Sequence, residues 1–83
     1  MQPMKALARD AKQIGNLIRN ERKRKSLSQK QLASIAGLRQ ASISAIENGT
    51  PNAKLQTILM ALAALGLEFQ ITSRSTDDWK IEG

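Results

Sequence analysis

The chain has 83 residues, with 13 Lys and Arg against 7 Asp and Glu, a formal net charge of +6 and a pI of about 10.4. That length suits one small domain with a limited core, and 2% aromatics leave Leu, Ile and Ala to fill it, a composition fit for helices packed closely on helices. With neither Cys nor His, the chain has no disulfide, no thiolate or imidazole metal ligand and not the commonest general base.

Met1 to Arg9 carries weak signals and reads as an arm. Asp10 with Gln13 is a capping box, so a first helix begins there. Ile14, Leu17 and Ile18 recur at i, i+3, i+4 and form its apolar face. The run Arg22, Lys23, Arg24, Lys25 closes it, where cations favour the negative end of the helix dipole whether or not they have another task. Ser28 with Gln31 is a second capping box, opening a short helix with Leu32, Ala33 and Ala36 on one side and Gly37 at its left-handed end. Leu38 and Arg39 start a third helix with Ile43 and Ile46 facing inward, ended by the turn signal Asn48-Gly49. Pro51-Asn52 leads into a fourth, with Leu55, Ile58, Leu59, Leu62 and Leu65 as its apolar positions and Gly66 as its cap. The period then changes to 2: Leu67, Phe69 and Ile71 alternate with Glu68, Gln70 and Thr72, which reads as one strand. Ser73 to Gly83 is polar, contains Trp79 and reads as a tail.

The positive charge is one-sided. Residues 1–30 hold nine cations against two acids, and residues 31–83 four against five. Such a field attracts a polyanion, most often nucleic acid or an anionic membrane surface; on charge alone, a basic, soluble helix with no partner is the alternative. The membrane is the poorer fit, because the apolar face of the first helix lacks Trp and Phe and is needed for the core. No apolar run approaches the roughly 18 residues that span a bilayer and no signal peptide is visible, so a cytoplasmic location is expected. No nucleophile–base pair, metal cluster or phosphate loop is present, so no enzyme and no cofactor are expected.

Two short helices joined by a Gly-containing turn make a helix-turn-helix. The motif needs a small residue where the helices cross, a residue tolerant of positive φ in the turn, and apolar residues at fixed inward places. Ala33, Gly37 and the set Leu32, Ala36, Leu38, Ile43, Ile46 supply them. The stretch LSQKQLASIAGLRQASISAIENG, Leu27 to Gly49, resembles the phage-repressor (Cro/C1, XRE-like) helix-turn-helix family. Its marks are Arg22, Ser28-Gln29, Leu32-Ala33, Gly37, Ile43-Ser44 and Glu47-Asn48-Gly49, and the resemblance covers roughly residues 10–66.

The resemblance implies that the helix from about Arg39 to Asn48 enters the major groove of double-stranded DNA. Its exposed positions Arg39, Gln40, Ala41, Ser44 and Ala45 are the base-reading candidates. Gln pairs with adenine, Arg with guanine, and Ala with a thymine methyl. Gln40 leads this set; Arg39 serves equally for a base or a phosphate, and Ser44 has the alternative of facing solvent. Ser28, Gln29, Lys30, Asn48, Thr50 and Lys54 are phosphate-binding candidates; Ser28 has the additional role of a plain N-cap, and any of Lys30, Asn48, Thr50 and Lys54 could equally be a solvated surface residue. The family pattern further implies that Gln29 braces Gln40 and that Arg22 and Glu47 form a structural ion pair, which removes Arg22 from the DNA-reading set.

The expected architecture is all-α: a compact four-helix bundle containing the helix-turn-helix in residues 10–66, a dimerisation strand at 67–73 and a flexible tail at 74–83. A lone strand cannot satisfy its own backbone groups, so pairing with a second copy is expected, with Leu67, Phe69 and Ile71 as the dimer interface; an extended segment packed on its own domain is the alternative. A two-fold homodimer would set two recognition helices about 34 Å apart on a palindromic operator. Four helices, a strand and a tail, together with Gln40 to Ser44, are similar to the HipB-type antitoxins. That similarity implies a dimeric repressor of its own operon that binds a HipA-type kinase toxin, with Trp79 either a partner anchor or a residue folded back on the domain. A protein-neutralising module with weak or no specific DNA binding is the competing function.

Overall fold

The computed structural model describes residues 7–71 and 73. Among the described residues four helices occur in order: α1 (Ala11–Arg24), α2 (Gln29–Ala36), α3 (Gln40–Glu47) and α4 (Leu55–Ala64). Both expected N-caps form. Asp10 accepts the Gln13 N–H at 2.8 Å, although the Gln13 side chain returns its bond to Arg9 rather than to the cap itself. Ser28 and Gln31 exchange both bonds of a complete capping box. Arg39 and Lys54 cap α3 and α4 with extended backbone and no side-chain bond.

All four helices end alike. Two or three residues past the last helical residue, an N–H donates back to the carbonyl five residues earlier: Leu27 to Arg22, Leu38 to Ala33, Thr50 to Ala45 and Leu67 to Leu62. That wrap needs a left-handed residue just before the donor. Gly37, Gly49 and Gly66 provide it with φ of 73°, 77° and 75°, and Ser26 provides it after α1 with φ of 59°. Turn chemistry in the sequence thus dictates where each helix stops.

The core is Ile18 from α1, Leu32 and Ala33 from α2, Ile43 and Ile46 from α3, and Ala61, Leu62 and Leu65 from α4 and its end. Ile14, Leu27, Leu38, Ala53, Ile58, Ala64 and Leu67 pack around it, half-buried. α3 touches all three other helices, and α2 also packs on α4. Two expected core residues lie outside instead: Leu55 and Leu59 are 63% and 41% exposed. The inward stripe of α4 is 58, 61, 62 and 65, the i, i+3, i+4, i+7 set of one face, and a residue beside it points elsewhere. Ala36 is only half-buried, and Leu17 likewise.

The strand expected at Leu67–Thr72 does not form over residues 67–71, and Thr72 lies outside the described residues. The Leu67 N–H is spent in closing α4, and no other described segment is a strand with which residues 68–71 could pair. A ladder needs a partner strand, and the described residues supply none. Trp79 and the expected tail at 74–83 lie outside the described residues. No described helix is long and apolar enough to cross a membrane.

Candidate nucleic-acid interface

The helix-turn-helix is α2, the Gly37 turn and α3. Ala33, 3% exposed, is the small residue at the crossing, and Leu32 and Ile43 are fully buried beside it. With Ile43 and Ile46 inward, α3 leaves Gln40 and Ala41 exposed at its first turn, and Arg39 with them as the cap. Ser44 and Ala45 are half-buried on the next turn. Ser28, Lys30, Asn48, Thr50 and Lys54 are exposed and Gln29 is half-buried. At the start of α2, the Ser28 and Gln31 N–H groups are consumed by the capping box, which leaves those of Gln29 and Lys30 as the unpaired donors of that turn.

Beneath this surface lies a buried carboxylate. The Glu47 side chain is fully buried and takes both arms of Arg22, Nε to Oε2 at 2.6 Å and Nη2 to Oε1 at 3.0 Å. Arg22 Nη1 also donates to the Leu27 carbonyl at 2.8 Å, so the pair ties the end of α1 to the start of the motif. Gln29 Nε2 donates to Glu47 Oε1 at 3.1 Å. Arg19 adds Nε to Oε1 at 3.4 Å and Nη2 to the Glu47 carbonyl at 3.3 Å. Burial would raise the Glu47 carboxyl, but the hydrogen bonds from Arg22, Gln29 and Arg19 outweigh it and hold it below its usual value; the same carboxylate raises the Arg22 guanidinium above its own. Every buried side-chain N and O among the described residues has a partner.

The ion pair implied for Arg22 and Glu47 is therefore present, with Arg19 and Gln29 as further members. Gln29 differs from its implied bracing role. A carboxylate only accepts, so Gln29 turns its NH2 to Glu47, and among the described residues no bond joins it to Gln40. The basic run also divides. Arg24 holds Glu21 with bonds of 3.0 and 2.6 Å and Lys25 stands 3.9 Å from the same carboxylate, lowering the Glu21 carboxyl chiefly through the Arg24 bonds. Fewer of these cations are unopposed than the sequence suggests. Sequence reasoning misses two participants. Arg19 is signalled only by its i, i+3 spacing to Arg22, which puts both on one helix face. Gly15, buried in mid-helix, is signalled only by its low helix propensity. A Cβ there would collide with the Ile46 carbonyl, so Gly15 is where α1 and α3 meet backbone to backbone.

The helix-turn-helix family model matches residues 18–71 of this chain. A Mycobacterium tuberculosis protein named as the antitoxin HigA2 is 40% identical over 62 residues, 74% of this chain and 61% of that one. A helix-turn-helix-type transcriptional regulator of Haemophilus influenzae is 42% identical over 50 residues, 60% of this chain and 51% of that one. The chain thus spans between half and two thirds of the length of these relatives. Among solved structures, HipB in a HipA–HipB–O2–O3 complex superposes with a TM-score of 0.77 at 28% identity, covering 83% of this chain and 97% of that one.

Proposed function

The chain belongs to the phage-repressor (Cro/C1, XRE-like) helix-turn-helix family of DNA-binding regulators, and from that premise we propose that it is a sequence-specific dimeric repressor acting as the antitoxin of its own operon. The observation that carries this reading is the outer edge of α3. Arg39, Gln40 and Ala41 stand exposed at the N-terminal turn of a helix whose opposite side is locked by Ile43, Ile46 and Glu47. A rigid helix end bearing Gln, Arg and Ala matches what major-groove base edges offer. Ser28, Gln29, Lys30, Asn48, Thr50 and Lys54 flank it as the phosphate-binding set, with Ser44 and Ala45 completing the base-reading one. The family consists of regulators and antitoxins rather than enzymes.

Two further parts of the reading rest on likeness and exposure. Leu67, Phe69 and Ile71 form the dimer interface, supported by exposures of 43% for Phe69 and 99% for Ile71, high for large apolar side chains. A HipA-type kinase toxin is the protein partner, supported by the likeness to HipB in its complex with HipA and to a protein named as an antitoxin, with Trp79 as the anchor.

Selection from a random pool of duplexes tests the DNA reading. The expected product is an enriched palindrome with half-sites about one helical turn apart, on which Gln40→Ala costs about 1–3 kcal/mol and relaxes preference at one position. A pool that shows no enrichment overturns it in favour of a module that neutralises a protein partner.

A further inference from the structure

Asn48 caps the C-terminal end of α3, exposed at the edge of the candidate interface. Its side-chain oxygen is already engaged: Arg19 Nη2 donates to Oδ1 at 3.3 Å, and the same nitrogen donates to the Glu47 carbonyl at 3.3 Å. A guanidinium carries donors and no acceptor, so an amide beside it must present oxygen, never nitrogen. The NH2 of Asn48 is thereby turned away from Arg19, and no described residue accepts from it. Arg19 Nε also reaches the buried Glu47 carboxylate at 3.4 Å, so three long contacts together seat its guanidinium on the end of α3.

We propose that Arg19 is a positioning residue for phosphate binding: by holding Asn48 Oδ1 it keeps Nδ2 aimed outward as a donor to a DNA phosphate oxygen. Phosphate oxygens only accept, so an Asn free to flip would spend part of its time presenting the wrong atom. The buried charge cluster sets which atom faces outward. Arg19 itself stays on Glu47 and does not leave it for the phosphate. This rests on the DNA reading above and adds a residue that the sequence did not single out.

The test is a double-mutant cycle of Arg19→Met and Asn48→Ala in the full chain, measured as affinity for the duplex enriched by selection over a salt series. Each single variant should weaken binding about 3- to 10-fold, and Arg19→Met should add less than about twofold in the Asn48→Ala background, with the salt slope unchanged. Arg19→Met weakening the Asn48→Ala protein as much as it weakens the wild type, with the slope reduced by about one, would mean that Arg19 binds phosphate itself and overturns the proposal. A wild type that binds no duplex overturns the DNA reading and this proposal together; a wild type that binds without coupling overturns the proposal alone. Nitrogen relaxation of side-chain amides in the free wild-type protein needs no variant to fold. The Asn48 NH2 should be ordered relative to those of exposed Asn16 and Asn20, and equal mobility of the three would refute the orientation.

Discussion

Gly15 shows how one atom governs the placement of the motif. An alanine Cβ there would meet the Ile46 carbonyl and lie 2.9 Å from that of Glu47, and main-chain atoms cannot turn aside as a flexible side chain can. Gly49 repeats the theme from the other side, where a Cβ would lie 2.9 Å from the Lys12 Cα. Gly15→Ala should therefore destabilise despite gaining about 1 kcal/mol of helix propensity. The overpacking cost is about 1–3 kcal/mol at an ordinary core site, and contact with backbone puts this one at or beyond the upper end. Thermal unfolding measures the outcome, and a raised midpoint would contradict the packing. A lone glycine in an amphipathic helix is visible in the sequence; the carbonyl it must clear belongs to residues about thirty positions away and is not.

The helices were largely legible because their ends are written in short-range chemistry. Asp10 and Ser28 cap through their own side chains, and Gly37, Gly49 and Gly66 take the left-handed geometry that stops a helix. Ser26 does the same without the chemistry that announces it, so the end of α1 was legible only through its basic run. What joins the elements is Glu47. Its carboxyl titrates below its ordinary value of 4.5 in the folded chain, so its contribution to stability is complete above that value and is lost as pH falls through the lowered one. Glu47→Gln should be less stable than wild type at about pH 7 by an amount typical of an unpaired buried charge, about 3–5 kcal/mol, with Arg22 left facing a neutral amide. The gap should narrow at a pH below that lowered value, where the wild-type carboxyl is itself protonated. Denaturant titrations at both pH values decide it, and a deficit independent of pH would show that Glu47 acts by shape rather than charge.

At the scale of the whole molecule, several large apolar residues lie outside the core. Leu55, Leu59, Phe69 and Ile71 are exposed in a single copy. If Phe69 and Ile71 belong to a dimer interface, Phe69→Asp with Ile71→Asp should give a monomer by sedimentation with helicity unchanged, since neither side chain is part of the core. A dimer that persists would place the interface elsewhere. The alternation from Leu67 to Thr72 is plain in the sequence, yet residues 67–71 form no strand, because a ladder is a property of two segments and the described residues contain no second one.

Local order determined most of this protein. Caps, turn glycines and the 3.6-residue stripe depend on neighbours within one or two turns, so the sequence alone specified four helices, the helix-turn-helix and the outward edge carrying Arg39, Gln40 and Ala41. The tertiary structure decided which atoms the amides beside that edge, Gln29 and Asn48, present. Glu47 gathers Arg19, Arg22 and Gln29 from two other segments, turning the Gln29 nitrogen inward and, through Arg19, the Asn48 oxygen. An amide is symmetric enough that its sequence position says nothing of its orientation. Only the charge packed against it does, and that charge arrives from a distant part of the chain.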